Sequence, residues 1–199
     1  LKKWKNIMSI LAISGKKTVG KDTVGKIIQY LTGESTVYPF DLNIDYSHKS
    51  NWEVKKFADK LKDIICLLIN CNREQLENES FKSKELGEEW WYWYMERDGG
   101  YPPIILDYLT TTKKELKNYE GLKLIKPTPR FLLQFIGTNL FRNQLHPEIW
   151  VNSLMSEYKS YSIPIKDLGI GKGFEWGEIY PNWIITDMRF PNEMEAVKK

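Results

Sequence analysis

The sequence has few cysteines and no long apolar run, and both shortages narrow what the protein can be. Its two cysteines, Cys66 and Cys71, have no obvious histidine or cysteine partners, so neither a disulfide framework nor a cysteine-based metal site is expected. We expect both to be buried free thiols in a reducing cytoplasm. No stretch is long enough to span a bilayer, and the first apolar run is too short for a signal peptide.

An excess of charge of one sign is also missing. The 29 basic residues are scattered among 26 acidic ones, and the formal net charge of +3 gives little support to nucleic-acid binding. A hydrophobic content of 42% over 199 residues is enough for one domain with a substantial core. We therefore predict a single domain over residues 1–199, with neither nucleic acid nor membrane as a partner. Because the sequence starts at Leu1 and stops inside a predicted helix, we expect residues to be missing from its ends.

The most informative motif is a glycine-rich segment near the start of the chain. Gly15 and Gly20 enclose four residues and precede Lys21, which is the spacing of a phosphate-binding loop. Residues 7–14 predict a buried strand before the loop, and residues 24–31 predict a helix after it. Main-chain amides of such a loop bind phosphate oxygens at the positive end of the helix dipole. The residues predicted to bind ATP are Gly15, Lys16, Lys17, Thr18, Val19, Gly20, Lys21, Asp22 and Thr23.

Two aspartates are candidate magnesium ligands. Asp22 stands where this motif usually has the serine or threonine that ligates Mg²⁺, and a carboxylate is also a hard oxygen ligand. Asp187 follows a predicted buried strand at 183–186, and parallel sheets bind ligands at the carboxyl ends of their strands. We expect both to hold the metal and Arg189 to face the phosphates. The alternative is a turn-forming aspartate beside a surface arginine.

A second candidate site lies on a helix that is predicted to begin with Thr128 as N-cap and Pro129 as its first residue. Four polar residues follow at spacings of four and should share one face: Arg130, Gln134, Thr138 and Arg142. Four apolar residues should share the opposite face: Leu132, Leu133, Ile136 and Leu140. Arginine matches phosphate oxygens, glutamine can pair with a base edge, and Gly137 would leave room for a ligand. The alternative is an ordinary solvated face.

The region 72–127 is the least regular part of the sequence. Residues 85–97 predict a helix that carries the aromatic run at 90–94, and residues 110–126 predict a mobile excursion. Acidic neighbours argue against a nucleic-acid stacking platform on that run. We therefore expect a lid or nucleotide-binding insertion over about 72–127.

Several segments together resemble the deoxynucleoside monophosphate kinases of tailed bacteriophages. Besides the glycine loop with its Asp22, they are residues 56–62, 127–142, 146–151 and 187–193. The resemblance implies an α/β fold of the P-loop nucleoside-monophosphate-kinase type, in which helices flank a parallel sheet and the nucleotide-binding and lid insertions are mobile. It also implies a cytoplasmic location, in the host if the protein is phage-encoded, and leaves room for a homodimer.

The implied reaction transfers the γ-phosphoryl group of ATP to a deoxynucleoside monophosphate, with Mg²⁺ as cofactor, and yields ADP and a diphosphate for DNA precursor synthesis. The implied catalytic residues are Lys21, Asp22, Arg130, Asp187 and Arg189. The implied substrate-binding residues are Phe57, Lys62, Arg130, Gln134, Gly137, Thr138, Arg142 and Trp150.

Two other functions fit the glycine loop. A small-molecule kinase similar to phosphomevalonate kinase also carries Gly-Lys-Asp in its loop, although Phe57, Gln134 and Trp150 favour a nucleobase. A nucleotide-controlled switch without kinase activity would need the same Gly-Lys pair, but would give the arginine-bearing helix no role. The sequence does not indicate which bases are accepted.

Overall fold

The computed structural model describes residues 9–16, 19–33, 40–99, 101–164 and 176–198. The chain divides into two compact units, one formed by Leu1–Lys60 with Glu148–Lys199 and the other by Leu61–Pro147. The region expected to be an insertion, 72–127, lies within the second unit. Of the residues assigned to the glycine loop, Lys17 and Thr18 lie outside the described part of the chain.

A parallel sheet of three strands forms the core of the first unit. Its strands are β1 (Ser9–Ser14), β2 (Trp52–Lys55) and β8 (Asn182–Met188), and β8 pairs with both of the others. Four consecutive residues of β8, from Trp183 to Thr186, are buried. Successive side chains of a strand point to opposite faces, so both faces of β8 are covered, as is usual for a parallel sheet.

Helices flank this sheet, and the predicted α/β class with a parallel sheet and flanking helices is confirmed. They are α1 (Lys21–Thr32), α7 (Ile149–Met155) and α8 (Pro191–Lys198). Helix α1 packs on β2 and β8, and α8 packs on β1 and α7. A short 3₁₀ turn at Ser47–Lys49 and an antiparallel pair, β6 (Tyr161–Pro164) and β7 (Trp176–Ile179), complete the described part of this unit.

Helix α1 contacts the sheet at a glycine, and not all of the apolar residues that predicted the helix face the sheet. Leu31 is 72% exposed, whereas Gly25 and Gln29 are buried. A Cβ atom at Gly25 would lie 3.0 Å from the Thr186 γ-methyl group, closer than most real Cβ contacts. The absence of a side chain therefore lets α1 lie directly against β8.

The second unit combines short helices with an antiparallel sheet. Helix α2 (Asp59–Leu68) begins in the first unit and continues into the second. The remaining elements are α3 (Arg73–Glu77), α4 (Glu79–Ser83), α5 (Lys113–Leu116), α6 (Pro129–Gln134), and the strands β3 (Tyr92–Met95), β4 (Ile104–Asp107) and β5 (Lys123–Ile125). Strand β3 lies between β4 and β5.

Two expectations for the region 72–127 are wrong. The aromatic run, predicted to be helical, forms a short 3₁₀ turn at Glu88–Trp90 followed by strand β3. Aromatic residues pack well across strands, and Trp91 makes an edge-to-face contact with Tyr108, with ring centroids 5.2 Å apart. Residues 110–126, expected to be a mobile excursion, contain α5 with a Thr112–Glu115 capping box, and also β5.

The arginine-bearing helix begins as predicted but does not keep one hydrogen-bonding pattern. The Thr128 hydroxyl accepts a hydrogen bond from the amide of Phe131 at 3.1 Å, which confirms the cap. After α6 the chain continues as a π-helix, Phe135–Leu145. The hydrogen bonds of a π-helix join residues five apart instead of four, but residues four apart still lie near one side of it. Leu140, expected to be on the apolar face, is exposed.

The two cysteines are free thiols but are not fully buried. Both are half-buried, and their Sγ atoms lie 3.8 Å apart. Burial, and then the neighbouring Cys66, raise the pKa of Cys71 to about 11. In the described part of the chain, no helix is long and apolar enough to cross a membrane.

Candidate active site

Three segments of the first unit follow the parallel strands at the carboxyl edge of the sheet. The glycine loop follows β1, Lys56 and Phe57 follow β2, and Asp187 lies near the end of β8. Ser14 pairs with Met188, so β1 and β8 end at the same level. Sheets of this kind bind their ligands at this edge. The structure thus brings together the predicted ATP-binding loop and the predicted residues Asp22 and Asp187.

The lysine of the loop is folded back over the loop itself. Lys21 Nζ donates hydrogen bonds to the carbonyl oxygens of Gly15 at 2.9 Å and of Lys16 at 2.8 Å. Gly20, the N-cap of α1, has φ of 79°, a left-handed conformation that favours glycine. A Cβ atom at Gly15 would lie 2.9 Å from the Val19 γ-methyl group, so a larger residue there would force the Val19 side chain to move. An ammonium group is therefore held at the N-terminus of α1, where anions bind favourably.

Asp22 is held between the two neighbouring strand ends. Its Oδ1 accepts a hydrogen bond from the Thr186 hydroxyl at 2.6 Å, and its Oδ2 accepts one from Lys56 Nζ at 3.0 Å. The Asp22 side chain is still 67% exposed. Neither Lys56 nor Thr186 was predicted to have a role, although Thr186 ends the strand predicted at 183–186 and Lys56 directly follows β2.

Asp187 joins the end of β8 to the turn that leads into α2. Its two carboxylate oxygens accept hydrogen bonds from the amides of Phe57 at 2.9 Å and Ala58 at 3.0 Å. Burial raises the pKa of Asp187, and the two amides oppose that increase by stabilising the carboxylate. These contacts fix the position of Phe57, whose ring is buried.

A buried glutamate fixes the main chain of the segment that follows Asp187. Glu193 Oε2 accepts hydrogen bonds from the amides of Arg189 at 2.7 Å and Phe190 at 3.0 Å, at the start of α8. Glu193 is almost fully buried, whereas Arg189 is exposed. The main chain of Arg189 is therefore fixed while its side chain faces solvent. The structural role of Glu193 was not foreseen from the sequence.

A cavity of about 530 Å³ opens beside this group of residues in the first unit. The residues that line it include Asp22, Lys26, Gln29, Trp52 and Lys56. The carboxylate of Asp22 is thus accessible to a bound molecule as well as to solvent.

The donor groups fit a magnesium ion that is shared with a nucleotide. Among the described residues, no group of three or more His, Cys, Asp or Glu side chains could hold a metal ion. Mg²⁺ in nucleotide sites usually takes only one or two carboxylates and completes its shell with phosphate oxygens and water. The exposed carboxylate of Asp22 fits that role. Both oxygens of each aspartate already accept a hydrogen bond, but Asp187 fits the role less well because it is half-buried whereas Asp22 is exposed.

Lys62 and Arg130, the predicted acceptor-binding cations of the second unit, lie in one network of charges. Lys62 Nζ pairs with Glu77, and the Arg130 guanidinium pairs with Glu79. Lys82 lies between the two carboxylates, 3.6 Å from Glu77 Oε2 and 3.3 Å from Glu79 Oε1. The hydrogen bond from Arg130, and then that from Lys82, lower the pKa of Glu79 to about 2.

The other predicted substrate-binding residues are less clearly arranged for a ligand. Gln134 and Thr138 are exposed, and Arg142 is half-buried. The expected space beside Gly137 is filled: a Cβ atom there would lie 2.5 Å from a δ-methyl group of Leu61. The reason for expecting a ligand at Gly137 was therefore wrong, since tight helix packing explains the glycine.

Trp150 belongs to α7 in the first unit, and its indole is buried. Burial gives this side chain a packing role, and its predicted contact with a nucleobase stays a prediction.

Comparison with known proteins gives one distant kinase relative. The chain is similar to the deoxynucleoside-5'-monophosphate kinase of Escherichia phage T5, with 28% identity over an alignment of 213 positions that includes 96% of this chain and 73% of the relative. No family model matches the chain. The similarity extends through both units and supports a nucleotide kinase activity in general terms.

Proposed function

We propose that the protein transfers the γ-phosphoryl group of ATP to a deoxynucleoside monophosphate, yielding ADP and a deoxynucleoside diphosphate for DNA precursor synthesis. The observation that carries this proposal is the glycine loop, with Gly20 in a left-handed conformation and Lys21 held over the loop carbonyls at the edge of a parallel sheet. The printed name of the phage T5 relative supports the choice of acceptor.

On the donor side, the loop from Gly15 to Thr23 would bind the ATP phosphates through its amides and through Lys21. Asp22 would hold Mg²⁺, which when bound with ATP neutralises charge on the β- and γ-phosphates. Thr186 and Lys56 orient Asp22 through the two hydrogen bonds on its carboxylate. We assign Asp187 mainly to positioning, because its oxygens hold the turn before α2. Arg189 stays a predicted phosphate contact with an exposed side chain.

On the acceptor side, Lys62 and Arg130 would bind the monophosphate, and Gln134, Thr138 and Arg142 are proposed to contact the rest of the nucleotide. The acceptor atom is a phosphate oxygen that is already ionised, so the reaction needs no strong general base. Phosphoryl transfer depends on alignment and on neutralisation of negative charge, which lysine and arginine side chains provide.

A coupled assay of ADP release with each deoxy- and ribonucleoside monophosphate tests the proposal. We expect Lys21→Ala and Arg130→Ala each to lower kcat/KM at least ~100-fold, the scale of lost electrostatic stabilisation. Lys113→Ala, a change at an exposed lysine of α5, is the matched control and should keep wild-type activity. If purified wild-type protein released no ADP with any monophosphate, the proposed reaction would be wrong.

Two further substrates in the same assay separate the alternatives. Turnover of phosphomevalonate with none of the nucleotides would favour the small-molecule kinase. Slow ATP hydrolysis that no acceptor stimulates would favour the nucleotide switch. The phage T5 relative supports the nucleotide arm of this comparison.

A further inference from the structure

Five charged side chains of the second unit converge on one place, although they come from four different helices. Lys62 belongs to α2, Glu77 ends α3, Glu79 and Lys82 belong to α4, and Arg130 belongs to α6. Of these five residues, only Lys62 and Arg130 were predicted from the sequence to belong to a site. Lys82 contacts the carboxylate partner of each of them, and it therefore joins two separate ion pairs into one cluster.

The turn between α3 and α4 fixes the two carboxylates of this cluster. Asn78 lies between Glu77 and Glu79, and its Oδ1 accepts hydrogen bonds from the amides of Ser80 at 2.9 Å and Phe81 at 3.1 Å. Lys82 Nζ also lies 3.3 Å from the carbonyl oxygen of Glu77, so the lysine is tied to the same turn. The cluster is thus held by capped helix ends as well as by charge.

The lysines of the cluster are more buried than its carboxylates. The side chains of Lys62 and Lys82 are 15% and 13% exposed, whereas those of Glu77 and Glu79 are 48% and 60% exposed. A salt bridge whose carboxylate is this exposed usually contributes little to stability. The carboxylates are therefore the members of the cluster that another anion can replace at least cost, while the lysine stems stay packed.

The charges of the cluster match those of a phosphate monoester. Three cations face two carboxylates, and the sum leaves one positive charge. A phosphate monoester carries a charge of about −1.5 to −2 at neutral pH and offers three strong acceptor oxygens. One such group can satisfy all three cations if the two carboxylates move aside.

We propose that Lys82 is a third cation of the site that binds the acceptor's phosphate, and that Glu77 and Glu79 occupy this site until the phosphate displaces them. This inference rests on the proposed function, in which Lys62 and Arg130 bind the acceptor. It assigns a phosphate-binding role to Lys82, and a competing role to two glutamates.

Kinetics and direct binding with the full chain test the inference. We expect Lys82→Ala to raise the KM of the acceptor monophosphate at least ~10-fold, the scale of a hydrogen bond to a charged group, and to leave the KM of ATP within about twofold. Lys82→Arg should restore most of the affinity. Lys84→Ala changes an exposed lysine two residues away and should match the wild type.

Substitution of either glutamate should change the affinity for the monophosphate in the opposite direction, which a purely structural role would not produce. Glu79→Gln and Glu77→Gln should each tighten calorimetric binding of the monophosphate to ATP-free protein by about two- to fivefold, the scale of an exposed ion pair. Thermal unfolding checks that each variant is folded, and Lys82→Gln replaces Lys82→Ala if the latter is not. An unchanged acceptor KM in the folded Lys82 variant, or weaker binding in both glutamine variants, would overturn the inference.

The same experiment separates this inference from the proposed function. Calorimetry with inorganic phosphate measures the cluster without any turnover. Wild-type protein that binds phosphate through Lys82 but phosphorylates no nucleotide would contradict the reaction alone. Active protein whose KM for the acceptor is unchanged by substitution of Lys82 would contradict the proposed role of the cluster alone.

Discussion

Thr186 makes two contacts that two substitutions can separate. Its hydroxyl donates to Asp22 at 2.6 Å, and its γ-methyl group faces Gly25 of α1. Thr186→Val removes the hydroxyl and keeps the shape, whereas Thr186→Ser keeps the hydroxyl and removes the methyl group. If Asp22 acts in catalysis, the valine variant should lose activity, and the serine variant should lose mainly stability.

The structure sets the size of both effects. A hydrogen bond to a charged group contributes about 1.5–3 kcal/mol, but the Asp22 side chain is 67% exposed and water can replace part of that bond. We therefore expect Thr186→Val to lower kcat/KM by about tenfold and to raise the Mg²⁺ concentration needed for half-maximal activity. Thr186→Ser removes one buried methyl group against α1, which should cost about 1 kcal/mol of unfolding free energy with activity nearly unchanged.

The coupled ADP-release assay at several Mg²⁺ concentrations, together with urea unfolding, measures both quantities. Equal activity and an equal Mg²⁺ requirement in Thr186→Val and wild-type protein would refute the reasoning, because Asp22 would then need no support from β8. A large loss of activity in Thr186→Ser would also count against it, because that variant keeps the hydroxyl.

Two further predictions concern Gly137 and Asp187. Gly137→Ala should destabilise the protein by about 1–3 kcal/mol through overpacking against Leu61, and a second change, Leu61→Ala, should remove most of that additional cost in urea unfolding; additive losses would mean that Leu61 does not fill the space. Burial raises the pKa of Asp187 above its ordinary value of 3.8, so the folded state binds the proton more tightly than the unfolded state. The stability of wild-type protein relative to Asp187→Asn should therefore be greatest below about pH 3.8 and fall as pH rises through the folded pKa; unfolding of both proteins across this range checks the sign, and a difference that grows with pH would contradict it.

The parts of the fold that local patterns encode could be predicted from the sequence. An apolar run predicted β1, the glycine spacing predicted the loop, and a helical repeat predicted α1. Thr128 before Pro129 predicted the start of α6. Each depends on residues within a few positions of one another. The buried run at 183–186 likewise predicted β8, because a central parallel strand is apolar on both faces.

The features that were missed depend on partners far away in the chain. The aromatic run became strand β3 because β4 and β5 pair with it, and a short aromatic run alone does not decide between helix and strand. The contacts of Asp22 reach Lys56 and Thr186, which are 34 and 164 residues away in sequence. Similarly, no local pattern in the sequence distinguishes the π-helix after α6 from an α-helix, and the change of helix type was missed.

The two predicted phosphate-binding groups hold their cations in different ways, and this difference bears on selectivity. Lys21 is held by main-chain carbonyls, which are dipoles, whereas Lys62, Lys82 and Arg130 are held by carboxylates, which carry full charge. The hydrogen bonds from Arg130 and Lys82 lower the pKa of Glu79, so this carboxylate is ionised at neutral pH and would compete with an incoming anion. A singly charged ligand cannot replace two carboxylates, but a phosphate dianion can. Under the proposed function, the cluster would therefore favour nucleoside monophosphates over weaker anions before any contact with the base is made.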